Sequence, residues 1–431
     1  MNRRHFLNFI TASATLEGMT RAGLGQETGA APVAEALPPL RALTQGPKFH
    51  WFAYYDKLQF DPTDRYILSN QVDFEGRTPG PDDILRVGMI DTADGDKWTE
   101  LGTSTAWGWQ QGCMLQWLPG SQSKIIWNDR DKASQRYVSH ILDVKTGEKR
   151  TLPLPVYTLS PDGKWAVTPD FARIDYCRSG YGYSGIPDPC ADEKAPAKSG
   201  IWRMNLETGE HQLIFSIADA VAIPHPELDL TQLWNWFNHL LISPDGRRLI
   251  FLHRWRERVD IPREQKAGGF KTRMFTVNLD GTEPYVLEPS GVVSHFIWRD
   301  PEHLVAWAKP NAEPEARVIV YKDKTREYTK LGADKITVDG HMTYLPHRNN
   351  EWLLCDTYPD PVRRLQTPFL YHIPTDRRIP LGHFFEPREY KGEFRCDTHP
   401  RSSNDGKKVV IDSVHAGNGR QMYLIDVSGI N

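Results

Sequence analysis

Cysteine is scarce in this chain. Only Cys113, Cys177, Cys190, Cys355 and Cys396 occur in 431 residues, with no Cys-x-x-Cys pair. So few cysteines in so long a chain exclude a disulfide framework. Cys177 and Cys190 flank one loop-like segment and are placed to bridge, while the other three read as buried thiols. A surplus of charge is also missing. The 52 Lys and Arg against 55 Asp and Glu leave a formal net charge of −3, without the basic excess of a nucleic-acid-binding surface. No apolar run reaches the roughly 18 residues of a helical membrane span. There is no Gly-x-Ser-x-Gly nucleophile elbow, and the repeats described below leave no room for a hydrolase domain. No acidic pair stands out from the many strand-end aspartates, as a paired-carboxylate glycosidase requires.

Aromatic and turn-forming residues are abundant: 14 Trp, 16 Tyr and 17 Phe beside 33 Gly and 32 Pro. Aromatics between frequent turns predict many short strands. The first 36 residues are set apart from the fold. Asn2-Arg3-Arg4-His5-Phe6-Leu7 resembles a twin-arginine export signal, followed by a modestly apolar stretch and the small-x-small site Ala34-Glu35-Ala36. Periplasmic or secreted localisation is the expectation, with residues 37–431 forming the folded domain.

Seven hairpins recur, each an apolar run, a Pro/Asp/Gly turn and a second apolar run. They centre on Asp61-Pro62, Pro119-Gly120, Pro161-Asp162-Gly163, Pro244-Asp245-Gly246, Asp300-Pro301, Pro346 and Asp405-Gly406. A third strand and a short fourth follow most of them, which predicts an all-β, seven-bladed β-propeller. The wide gap between the third and fourth hairpins holds Tyr176–Tyr183 and a Pro/Ala/Lys stretch to about Ser199, expected as a long loop over one face. Leu233-Trp234-Asn235-Trp236-Phe237 reads as a helical turn or an aromatic lid.

Aligning the repeats turns the fold into a site prediction. His239 and His341 stand five residues before the turn proline, His399 stands five before its equivalent, and His295 fits with one extra residue. Four consecutive blades thus place a histidine at one ring position, an arrangement suited to a divalent metal or an anionic ligand. The ends of the second strands add Asn70, Asn128-Asp129-Arg130, Asp170, His253-Arg254, Asp356 and Asp412 on the same face. A polar, aromatic-rimmed mouth suits a sugar. Asn128, Arg130, Trp109, Tyr183 and Trp236 are the candidate binding residues, with Trp107, Trp127, Trp234 and Trp255 as further stacking surfaces. Tyr157 and Arg173 of the third blade form a candidate proton shuttle and charge neutraliser.

The repeated Ser-Pro-Asp-Gly hairpins resemble TolB-like propellers, and with axial histidines they resemble oligogalacturonate lyases of polysaccharide lyase family 22. The resemblance spans roughly His50 to Asn431. It implies a manganese-type ion held by a histidine cluster, with His239, His295, His341 and His399 as the matching positions and a histidine base beside an arginine. No His-x-His ligand pair occurs, so manganese, calcium and zinc all stay open. Tyr157 and Arg173 also resemble the Tyr/Arg pair of ulvan-lyase-like propellers.

The expected activity is β-elimination on an acidic oligo- or polysaccharide. Neutralising the uronate carboxylate makes its C5 proton removable. Tyr157 is the expected base or acid, Arg173 or Arg254 the neutraliser, and His239 and its ring partners the metal shell or catalytic ring. The alternative is a non-catalytic periplasmic propeller, TolB-like, that binds carbohydrate or protein.

Overall fold

The computed structural model describes residues 36–52 and 54–430; the export-signal expectation falls almost wholly outside them. Among the described residues are seven four-stranded antiparallel sheets, so the chain is a seven-bladed β-propeller. Blades 1 to 6 run through residues 49–104, 116–152, 158–216, 234–291, 293–331 and 342–380. Blade 7 combines Arg401–Ser402, Lys408–Ser413 and Gln421–Asp426 with an outermost strand from the other end of the domain, Leu40–Ala42. Leu40 pairs with Ile425 and Ala42 with Tyr423, which closes the ring.

Ser-Pro-Asp-Gly starting at Ser160 and Ser243 and Ser-Asn-Asp-Gly starting at Ser403 form the same turn. Ser160, Ser243 and Ser403 each hydrogen-bond the aspartate two residues on, and each hydroxyl accepts a backbone N–H five residues on at 2.9–3.0 Å. The turn closes through Gly163, Gly246 and Gly406, at φ of 68°, 74° and 67°, a region that costs glycine little.

Each blade is covered on both faces, so its strands read as near-continuous apolar runs rather than strict alternation. Phe251 and Phe275 of blade 4 pack with Val167, Ile201 and Phe215 of blade 3 on one side. On the other, Ile250, Leu252 and Met274 pack with Phe296, Leu304 and Ile319 of blade 5. Similar clusters fill the remaining seams.

Two expectations are corrected. Leu233–Phe237 is neither helix nor lid, because Trp234–Ile242 is the nine-residue inner strand of blade 4. Cys177 and Cys190 are buried free thiols, like the other three cysteines. The long insertion begins as a helix, Phe171–Cys177, capped by Asp170, whose carboxylate accepts from the Ala172 and Arg173 N–H groups.

Candidate functional site

Four blades bring one histidine each to a common arc. His239 lies within Trp234–Ile242 and His295 within Val293–Trp298, while His341 and His399 stand just ahead of Met342–Tyr344 and Arg401–Ser402. All are buried. Their ring centroids are 6.0 Å apart for His239–His295, and 4.1 Å apart for both His295–His341 and His341–His399. Backbone geometry aims two of them. His239 has φ 51° at a break in strand register between Asn238 and Leu241, and His399 has φ 38°. Such conformations cost side-chain-bearing residues free energy and cluster where geometry serves function.

Asp356, at the end of the second strand of blade 6, anchors the arc. Its carboxylate accepts from His341 N at 2.7 Å and His341 Nδ1 at 3.0 Å, and from Thr398 Oγ1 at 2.8 Å and His399 N at 3.1 Å. Gly340 permits this approach, since a Cβ there would stand 2.0 Å from the Asp356 carbonyl oxygen. Burial works against a charged His341, but Asp356 outweighs it and holds the imidazole above its ordinary pKa; the same contact keeps Asp356 low despite its own burial. Burial and neighbouring histidines push His239, His295 and His399 down, so these three are neutral bases.

Two tyrosines from blade 1 complete the arc. The Tyr54 hydroxyl hydrogen-bonds the His239 imidazole. Tyr55 is a strut: its hydroxyl donates to Phe296 O at 2.8 Å and accepts from Phe296 N at 3.2 Å.

His341 Nε2 and His399 Nε2 face each other at 3.0 Å. With the Asp397 carboxylate they offer three ligand atoms within 4.8 Å of one another. Asp397 Oδ1 is buried without a hydrogen-bond partner. Two facing imidazole nitrogens beside an orphaned carboxylate oxygen fit a divalent cation, and the Asp356 bond to the far nitrogen of His341 is the usual outer support of such a ligand. His239 and His295, expected in the same metal shell, lie outside this three-residue group, although the Nδ1 contact of His295 with Asp339 matches that of His341 with Asp356. His239 bonds Tyr54, and His295 Nδ1 bonds Asp339 at 3.1 Å.

Arginines frame this group. Arg395 Nε donates to Asp397 at 2.7 Å and its Nη2 to the Tyr181 hydroxyl at 2.7 Å. Arg178 stacks on Tyr181, its guanidinium carbon 3.7 Å from the ring centre, and is buried with Nε and Nη1 unpartnered.

Several residues expected at the site serve the scaffold instead. Arg173 is 1% exposed and bonds the Asp188 carboxylate and the carbonyls of Cys190, Glu193, Lys194 and Asn235. Five bonds use its five N–H groups, leaving none for a substrate carboxylate. The buried Tyr157 hydroxyl accepts from Gln111 Nε2 at 2.6 Å, and burial holds its pKa well above 10, so it is no phenolate base. Asn128 braces Val156 and Tyr183, and Tyr183 stacks on Phe171 at 4.2 Å. Arg130 bonds the carbonyls of Pro81 and Gly185, and Trp109 is buried against Trp51 and Trp107. Trp236 and Arg254 lie farther along, around Phe270. Tyr54, Arg395 and Asp397 enter the site without a signal in the aligned repeat positions. Asp397 shares a tripeptide with His399, and Arg178 and Tyr181 sit in the loop singled out for its length, whereas nothing in the repeat marks Tyr54.

No protein-family model matches the sequence, and no curated protein does. Solved structures share its architecture. Oligogalacturonate lyase in complex with manganese superposes with a TM-score of 0.61 at 14% identity, over 90% of this chain and 93% of that one. The fold is that of oligogalacturonate lyase. The enzyme of that name from Vibrio parahaemolyticus gives 0.60 at 12% identity with the same coverage. A prolyl endopeptidase gives 0.51 at 12%, over 90% of this chain but only 49% of that one. At such identities the likeness extends to the fold alone.

Proposed function

We propose that the protein is a lyase that cleaves a uronate-containing glycan by β-elimination at the histidine arc. The observation that carries this reading is the Tyr54–His239 couple set beside the Asp356–His341–His399 chain. His239, neutral through burial, accepts the C5 proton of the uronate. The C–H electrons form the C4–C5 double bond as the C4–O bond breaks. Tyr54 donates its proton to the departing oxygen and regains one from His239, so the couple returns to its starting state. Arg178, with free donors, holds the carboxylate and offsets the charge that develops on it. His341, His399 and Asp397 would hold a divalent cation such as manganese, which when bound supplies further charge neutralisation at the same carboxylate. Export to the periplasm or beyond is part of this proposal, supported by the resemblance of the Arg3-Arg4 segment to a twin-arginine signal.

The test is the ultraviolet absorbance of an unsaturated uronate product, measured across acidic polysaccharides and their oligomers. Tyr54→Phe should lower kcat by about a hundredfold to ten-thousandfold with the thermal midpoint maintained. Absence of product from every uronate tried would overturn the lyase reading and leave a glycan- or protein-binding propeller.

A further inference from the structure

A cavity of about 380 Å³ opens between blades 2 and 3 and shares no lining residue with the histidine arc. Its walls are poor in hydrogen-bond donors. Pro153, Pro155, Pro169 and Pro189 line it, and proline carries no N–H. The Tyr137 ring lines it too, but its hydroxyl is already engaged, donating to Tyr183 O at 2.6 Å and accepting from Ile186 N at 3.3 Å. Phe171 and the half-buried Trp202 add ring surface. Phe171 is braced by Tyr183, whose ring stacks on it at 4.2 Å and 9°, and Trp202 is flanked by His211 at 6.0 Å. Rigid prolines and fixed rings make a preformed wall that suits a flat apolar body.

Charge around the same cavity is one-sided. Arg136 and Lys198 both line it and are exposed, and among the described residues neither makes an ion pair. Asp170 is the one carboxylate among the lining residues, and both of its oxygens are engaged. Oδ1 accepts from Ala172 N and Arg173 N at 3.0 and 3.2 Å, and Oδ2 accepts from Ser199 Oγ at 3.1 Å. Burial also raises its pKa, which makes it a weaker counterion. Apolar walls thus meet two cations that no carboxylate of the cavity matches.

Size narrows the choice among apolar anions. About 380 Å³ lies at the small end of ligand pockets, room for one ring and a short chain but not for a peptide of several residues. We infer that this cavity binds an aryl carboxylate, its ring against Trp202, Tyr137 and the prolines and its carboxylate toward Arg136 and Lys198. A planar guanidinium and an ammonium both suit a carboxylate arm. The site is independent of the elimination chemistry, since no residue of the arc takes part. Its occupation also braces the insertion, because Phe171, Ile186 and Pro189 belong to the wall, so a bound ligand raises the thermal midpoint.

The experiment is calorimetric titration of the whole protein with cinnamate and with cinnamamide, which keeps the shape and removes the charge. Cinnamate should bind saturably and about tenfold more tightly than the amide. Arg136→Gln/Lys198→Gln should abolish that preference and leave the amide affinity as it was. Both side chains are exposed, so the fold tolerates the exchange. Trp202→Ala should weaken both ligands by about threefold to tenfold. Should Trp202→Ala not fold, the two cation substitutions still decide. No saturable binding of cinnamate at millimolar concentration, equal affinity for acid and amide, or a preference indifferent to Arg136 and Lys198 overturns the site.

Discussion

His50 shows how one side chain couples the ring's closure to pH. It is buried in the inner strand of blade 1, with Nδ1 facing Gln421 Oε1 at 3.2 Å and Nε2 facing Gln71 Nε2 at 2.8 Å. The neutral ring satisfies both, donating to the first and accepting from the second. Burial lowers its pKa from 6.5 to about 4. The unfolded chain therefore binds the proton first, and stability falls as pH drops from about 6.5 to about 4, then levels. The contribution is on the order of 3 kcal/mol. Replacing His50 with Gln should flatten the stability–pH curve in that window, as chemical unfolding at stepped pH would reveal. An unchanged slope would mean that other groups carry the acid sensitivity.

At the scale of elements, Arg173 gathers the insertion after Phe171–Cys177 through Asp188, Cys190, Glu193 and Lys194 and ties it to Asn235 of blade 4. The Arg173–Asp188 pair is closed to solvent at both ends, with 1% and 0% side-chain exposure. Arg173→Ala strips the buried Asp188 carboxylate of its counterion and removes one donor from each of four carbonyls, a loss of about 3–5 kcal/mol. Arg173→Lys should recover little, since an ammonium cannot span the fork. Thermal unfolding of the two variants would check both statements. The same element shows where sequence reasoning stopped. The histidine stations could be read because each is tied by a short count to a turn that the eye finds. Arg173 and Arg178 are five residues apart, and only one has free donors. That difference is set by carbonyls at positions 190–194 folding back onto the helix, which no local spacing encodes. Tyr54 was missed for a related reason: its partner His239 belongs to another blade.

On the scale of the whole molecule, the closing strand is the vulnerable joint. Leu40–Ala42 is an exposed three-residue strand, yet the backbone around it is laced to blade 7 through Asp426 N to Pro39 O at 2.9 Å, Leu43 N to Met422 O at 2.8 Å and His50 N to Arg420 O at 2.9 Å. Deleting residues up to Gly46 would uncover the edge of Gln421–Asp426, at roughly 1 kcal/mol for each ladder bond, and present an open strand to other molecules. Size-exclusion chromatography should then show higher-order species that the full domain does not form. The seven-fold plan was legible because every seam repeats the same apolar run and turn. The closure was not, because it joins the two most distant parts of the domain.

The left-handed backbone at His239 and His399 has a counterpart where no chemistry is expected. Met114, five residues before Pro119, occupies the equivalent station in blade 2 at φ 56°, and it packs in the apolar core. The kink is thus a feature of the blade that two histidines share with a core methionine. Bend and side chain should then be separable. Glycine at 399 would keep the bend at lower conformational cost than alanine, by about 1 kcal/mol. It would also leave a slot shaped for a free imidazole, and denaturation midpoints with and without added imidazole would report each part independently.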